Sequence, residues 1–338
     1  MRVSSQLPPQ APPVPNRPAP PPNSDNPLEA DSFVFDFPSN YPAPPAELYE
    51  LPKDEAPRLN RPVLLVHGFN GDPGNWLNMR TWLTRSGENK DGGVIQANAN
   101  IDPQGKVFTM QFARPFNPVS NNSAELRQAI NNITAATGSS EIDVVAHSMG
   151  GLDTRLYLDQ GDEKVDKLVM IATPNHGSVL ADIELTFREL GIPIMPSTDD
   201  PLVRQALTDC SEERGDNNPL LAQLNKNWAR QKSRAEIFVI TGNGRPTLAN
   251  RFTLTLRGDG VVPQKSAHMD GVPQRNVWWT NHSGVKEHPD ALLMTGAFLT
   301  GRALPVQQDE PPDVPAAKEI VPQQINADKD QLNYVIKQ

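Results

Sequence analysis

The stretch Ile142-Asp143-Val144-Val145-Ala146-His147-Ser148-Met149-Gly150-Gly151 decides how this chain is read. A run rich in β-branched residues stops at a serine flanked by small residues, and a helical pattern begins at once. The run reads as a buried strand, and Leu152, Leu156 and Leu158 read as a helix packed on the sheet. Ser148 therefore falls on a sharp strand-to-helix turn that pushes its Oγ away from the backbone and aims a helix N-terminus at whatever binds there. Gly150 and Gly151 let that helix lie close to the neighbouring strands, where a Cβ would hold it off. This is the physical content of the pattern G-x-S-x-G, with Ala146 as a small stand-in for the first glycine. The same letters occur by chance on ordinary helices; the strand before and the helix after favour the chemical reading.

Working outward, apolar strands alternate with helices. Pro62–Val66 forms a strand that runs into His67-Gly68-Phe69-Asn70-Gly71, and Trp76 and Trp82 fall in a following helix. Val107–Phe112 is the next strand. Asn122 is the expected cap of a helix with Glu125 at its third position and a buried stripe of Leu126, Ile130 and Ile133, closed by Gly138. After the central strand come Val165–Ala172, ending at Thr173-Pro174-Asn175-His176-Gly177-Ser178, then Ile237–Thr241 and Asn276–Thr280, and a closing helix over Pro289–Leu299. The alternation predicts an α/β fold with a mostly parallel sheet and helices on both faces. Sites in such sheets lie at the carboxyl ends of the strands, where every motif above falls. Residues 178–232 break the alternation with three helical stretches, Leu180–Leu190, Leu202–Leu207 and Pro219–Arg230, and no strand. They predict a helical cap or lid over the strand ends. An apolar lid face would come from Leu180, Ile183, Leu185, Phe187, Leu190 and Ile192; a fixed cap is the equal alternative.

The expected organisation is a proline-rich, largely disordered segment over 1–60, a catalytic domain over 61–302 and a proline-rich, charged tail over 303–338. Sixteen of the 35 prolines precede residue 58, and the first 45 residues hold too few aliphatics to offset their ordering entropy. A solvated arm is the plain reading; a polyproline ligand for a protein partner is the other. Phe33, Val34, Phe35 and Phe37 interrupt this arm as a short apolar anchor, and a terminal helix is expected around Asp328–Ile336. The net charge of −9 argues against nucleic acid as a partner and against attraction to anionic lipid, leaving only a transient apolar contact with a lipid interface. Cys210 stands alone, so no intramolecular disulfide forms. No run reaches the roughly 18 apolar residues of a membrane span, and residues 1–22 lack the apolar core of a Sec-type signal. The expectation is a cytoplasmic location or export by a non-Sec route.

A serine hydroxyl attacks only when a base takes its proton and an acid orients that base. Of six histidines, His67 belongs to the turn after the first strand, His147 points into the structure beside Ser148, His176 follows the wrong strand and His268 lies in a polar loop. His282 and His288 both follow the last strand. His282 is chosen because it lies two residues past that strand on a loop, whereas His288 opens the closing helix. The acid is Asp259, set between Gly258 and Gly260 beyond the Ile237–Thr241 strand; capping a turn is its alternative role. Two oxyanion donors are expected, the N–H of Met149 at the helix N-terminus and the N–H of Phe69 in the glycine-bearing turn.

Together, Val66-His67-Gly68-Phe69-Asn70-Gly71, Ala146–Gly151, Thr173–Ser178 and Gly258-Asp259-Gly260-Val261-Val262 resemble bacterial lipases of the α/β-hydrolase superfamily. The alanine at the elbow is similar to the small Bacillus-type lipases. The similarity spans about residues 60–302 and neither tail, and the order Ser148, Asp259, His282 is that superfamily's triad order. The resemblance implies an α/β-hydrolase fold and cleavage of carboxylic esters, of lipids or small molecules, through an acyl-serine intermediate. Some family members carry calcium, but no carboxylate cluster here assigns a site, and neither cofactor nor metal is expected. A phospholipase, lipid-anchor deacylase or thioesterase on the same triad is the runner-up, and a non-enzymatic binding protein the third reading.

Overall fold

The computed structural model describes residues 56–96, 99–114, 116–161, 163–189, 200–212, 218–250 and 253–306, with the side chains of 187–189 left out. The proline-rich arm, the Phe33–Phe37 anchor, the terminal helix, the side chain of Phe187, and Leu190 and Ile192 lie outside the described residues.

Seven parallel strands make the central sheet: β1 (Val63–Val66), β2 (Asp91–Ile95), β3 (Val107–Met110), β4 (Ile142–His147), β5 (Val165–Ile171), β6 (Glu236–Asn243) and, after a hairpin of β7 (Thr247–Asn250) and β8 (Thr253–Thr255), β9 (Gln274–Trp278). Their order is β2-β3-β1-β4-β5-β6-β9. The chain builds leftward from β1 and then returns to build rightward from β4, so the order reverses between these two strands. Crevices in open α/β sheets form at such a reversal, outside the carboxyl ends.

Alternate residues of the central strands feed different cores, which is why Val63–Val66, Val144–Ala146 and Leu168–Ile171 read as apolar runs. Leu64, Val66, Val144, Ala146, Leu168 and Met170 face helices α2 (Val119–Thr137) and α3 (Met149–Asp159). Val63, Leu65, Val145, Val169 and Ile171 face α1 (Leu77–Thr84) and α9 (Pro289–Leu299), where Trp82, Leu292 and Phe298 fill the layer. Between β5 and β6 come α4 (Val179–Glu189), α5 (Pro201–Cys210), α6 (Pro219–Lys226) and α7 (Trp228–Lys232), with no strand among the described residues of this insertion, and a short α8 (Gln264–Ala267) precedes β9.

Several local readings change. Helix α2 begins at Val119, ahead of the expected cap at Asn122. Its first N–H is satisfied from far away: Asp209 Oδ2 accepts from Val119 N at 2.9 Å. Asn122 is instead buried within the helix and donates to Asp153 Oδ2 at 3.1 Å, while Glu125 turns to Ala113 N and Asn117 Nδ2. The single helix expected over Pro219–Arg230 breaks at Asn227, whose Nδ2 donates to Asp159 Oδ2 at 3.1 Å. Strand β2, unexpected from Asp91-Gly92-Gly93, pairs with β3 through a register shift between Asp91 and Gly93, and Gly92 leaves room for the Phe108 ring, which a Cβ would run into. At the other end, Ala56 and Leu59 already pack in the core ahead of Arg61, and Asn89 bonds Leu59 N and Pro57 O.

Candidate active site

β4 delivers Ser148 at the point of order reversal. The serine sits at φ 54°, ψ −128°, a conformation that side chains adopt only under constraint, and it is the N-cap of α3. The other described non-glycine residues with positive φ are Asn70, Ala172 and Trp279. They follow β1, β5 and β9, so all four lie just beyond the carboxyl ends of sheet strands. Such strain, of order 1–3 kcal/mol each, collects at functional sites where the surroundings over-determine the backbone.

The glycines of the elbow face close neighbours, not space. A Cβ on Gly150 would lie 2.6 Å from His67 O and 2.8 Å from Val66 O, and one on Gly151 would strike Thr173. From the facing side, a Cβ on Gly68 would lie 2.7 Å from Ser148 Cβ and 3.2 Å from Met149 N. The turn after β1 is therefore pressed against the first residue of α3. This brings the neighbourhoods of the two expected oxyanion donors, Phe69 and Met149, together at the positive end of a helix.

His282 Nε2 is 2.9 Å from Ser148 Oγ, and His282 Nδ1 is 2.9 Å from Asp259 Oδ2. Three residues that are 134 and 23 positions apart along the chain thus form one hydrogen-bonded line. Asp259 is buried, and its second oxygen accepts from Val261 N at 2.9 Å and Val262 N at 2.7 Å. Those bonds fix the carboxylate's orientation. The stretch between Thr241 and Asp259, unmatched in the sequence, is β6's last turn of chain plus the β7–β8 hairpin; Gly260 at φ 98° and a close approach of Gly242 to Asp259 Cβ complete the loop.

The other histidines fall elsewhere. His288 is the N-cap of α9, accepting from Asp290 N at 3.1 Å, and burial lowers its pKa. His67 is buried edge-on to Phe112, and its Nδ1 lies 3.0 Å from Gly68 O. His176 is exposed, 3.3 Å from Asn225 Nδ2, and His268 is half-buried. His147 does more than point inward: its Nε2 lies 2.9 Å from the carbonyl oxygen of His282, with the two rings 4.7 Å apart.

Two groups of residues had no role assigned from the sequence. The segment Thr173–Ser178 is a junction. Asn175 donates to Ala267 O at 2.7 Å, His176 N to Ser266 O at 3.0 Å, and Ser178 Oγ to Val261 O at 2.8 Å, which lash β5's end to the loop of Asp259. Arg155, fully buried in α3, donates to Asn175 Oδ1, Asn225 Oδ1 and Gln231 Oε1 and stacks on Trp228, which joins the elbow helix to α6 and α7. A charged residue amid the apolar positions of α3 was the available signal. Over the site's other flank, Phe69 and Phe116 pack with Leu185, Val203 and Leu207 of α4 and α5.

A family model described as a domain of unknown function (DUF7379) matches residues 115–190. A triacylglycerol lipase of Pseudarthrobacter phenanthrenivorans is 26% identical over 121 residues, 36% of this chain and 35% of that protein. One of Pseudomonas fragi is 25% identical over 130 residues, 38% of this chain and 40% of that protein. The chain spans little more than a third of the length of these curated relatives. Among solved structures, a Bacillus licheniformis lipase in mature form superposes with a TM-score of 0.51 at 16% identity, covering 74% of this chain and 95% of that one. The shared feature is the fold.

Proposed function

We propose that this chain, which has the α/β-hydrolase fold, cleaves carboxylic esters of lipids through an acyl-serine intermediate. The observation that carries the reading is the continuous Ser148–His282–Asp259 hydrogen-bond line at the carboxyl edge of the sheet. Ser148 Oγ attacks the ester carbonyl while His282 Nε2 takes its proton. Asp259 holds the imidazole with Nδ1–H toward itself and stabilises the positive charge that forms. The N–H groups of Phe69 and Met149 receive the oxyanion, each contributing roughly 3 kcal/mol toward the transition state. His282 then protonates the departing alkoxide, and a water activated by the same nitrogen releases the acid and restores the serine.

An apolar acyl chain has a matching surface beside the turn after β1, where Phe69 and Phe116 are only partly buried against Leu185 and the other apolar residues of α4 and α5. Residues 178–232 act as the cap of this site. In the test, wild type and Ser148→Ala are assayed on p-nitrophenyl esters of increasing chain length, beside phospholipid and thioester substrates. Ester hydrolysis that falls by about 10⁴-fold or more in Ser148→Ala supports the reading. Retained activity would sink it, and faster turnover of phospholipid or thioester would move the substrate assignment while keeping the site.

A further inference from the structure

Ser148 and His147 are neighbours at the end of β4, and their side chains reach the same partner from two sides. Ser148 Oγ meets the imidazole of His282 at Nε2, while His147 Nε2 lies 2.9 Å from the carbonyl oxygen of that same residue. We propose that His147 is a positioning residue for the base, a hydrogen-bond mount that fixes the backbone and ring of His282 to the strand that carries the nucleophile. The inference rests on the reading of Ser148 and His282 as nucleophile and base.

The partner's chemistry settles the tautomer. A carbonyl oxygen only accepts, so His147 carries its proton on Nε2 and donates it. The rings of His147 and His282 are 4.7 Å apart at 44°, and Trp76 closes the far edge of His147 with ring centroids 6.5 Å apart. The contact restricts rotation of the His282 ring, and the hydrogen bond restricts its Cα. His282 comes from a loop after β9, the far edge of the sheet, with β5 and β6 standing between that strand and β4. Without a tie across that gap, any shift of the loop would alter the Oγ–Nε2 separation. With it, nucleophile and base move as one body.

His147 is buried, and burial, with Lys286, His282 and His67 around it, lowers its pKa well below the ordinary histidine value. Its neutrality matters mechanistically. A second imidazolium 4.7 Å from the His282 ring would oppose the positive charge that His282 acquires as it takes the serine's proton. The neutral ring supplies a donor and a packing surface without that opposing charge.

The test uses the full chain and counts active sites with a fluorophosphonate, so that rates are expressed per reactive serine. His147→Phe keeps the ring and removes the donor; His147→Gln keeps an N–H that can reach the carbonyl. Loose mounting of the base predicts that kcat per site falls about 10²-fold in His147→Phe with KM little changed, since small misplacements at reacting centres cost that much. His147→Gln should recover part of the rate. Wild-type kcat per site in His147→Phe would overturn the proposal. Should His147→Phe not fold, ¹⁵N-histidine spectra of the wild type decide: a neutral Nε2–H ring from pH 5 to 9, as burial requires, supports it. A ring protonated on Nδ1 alone, or one that titrates in that range, overturns it. A wild-type protein that the fluorophosphonate does not label at Ser148 instead rejects the underlying reading of the site.

Discussion

Arg155 Nη1 donates to Asn175 Oδ1 at 3.0 Å, so the helix that starts at Ser148 is bonded directly to the segment that follows the next strand. The same guanidinium reaches Asn225 and Gln231 at 2.8 and 2.9 Å and lies over the Trp228 ring. Only a planar fork makes these bonds in three directions at once; an ammonium on a flexible stem does not. Arg155→Lys should therefore destabilise the fold by about 2–3 kcal/mol, because it leaves buried amide oxygens without donors. Chemical denaturation checks the value, and a variant as stable as wild type would show that α6 and α7 are held by packing alone.

Gly68→Ala should damage catalysis far more than stability. The added Cβ meets Ser148 Cβ at 2.7 Å and His147 O at 3.0 Å, so the turn must retreat from the elbow and carry Phe69 N–H with it. Loss of one oxyanion donor costs about 10²–10³-fold in kcat. Steady-state kinetics on a soluble short-chain ester measure this; unchanged kcat would exclude the turn from the oxyanion site.

His282→Ala and His288→Ala separate the two histidines after β9. The first should lose at least about 10⁴-fold in kcat, since a nucleophile and its base act as a unit. The second removes a helix cap, the Asp290 N to His288 Nδ1 bond, and should cost about 1 kcal/mol of stability while sparing kcat. If the effects are exchanged, His282 is not the base.

Stability should fall between about pH 4 and pH 7 through Asp143, at the opposite end of β4. Burial pushes its carboxyl up from 3.8 to about 7, against the partial relief given by Arg61. Over that window the folded protein binds a proton that the unfolded chain has already released, so raising the pH favours unfolding, and above pH 7 the full cost remains. The change corresponds to roughly 4 kcal/mol. Asp143→Asn should match wild type near pH 4 and exceed it at pH 8, with Arg61 still paired to Asp166. Thermal melts across this range test it; parallel curves for the two proteins would count against the buried acid.

Much of this protein was readable along the chain because the signals are local. Both-face burial makes β1, Val144–Ala146 of β4 and Leu168–Ile171 of β5 continuous apolar runs, the αL glycine at 138 ends α2, and small residues after Ser148 announce a helix packed hard against strands. Their positions after strands make Ser148, Asp259 and His282 candidates, and their side chains lie in one hydrogen-bonded line. Tertiary structure decided what depends on distant partners. Asp209 replaced Asn122 as the source of the α2 cap, and the β7–β8 hairpin filled the gap before Asp259. The second bond of His147, and the tie of Asn175 to both Arg155 and Ala267, join positions far apart in the chain. No periodicity encodes such pairs. A side chain's propensity is a property of its neighbours in sequence, whereas the partner that satisfies a buried donor is chosen by whichever chain segment the folded sheet brings within about 3 Å.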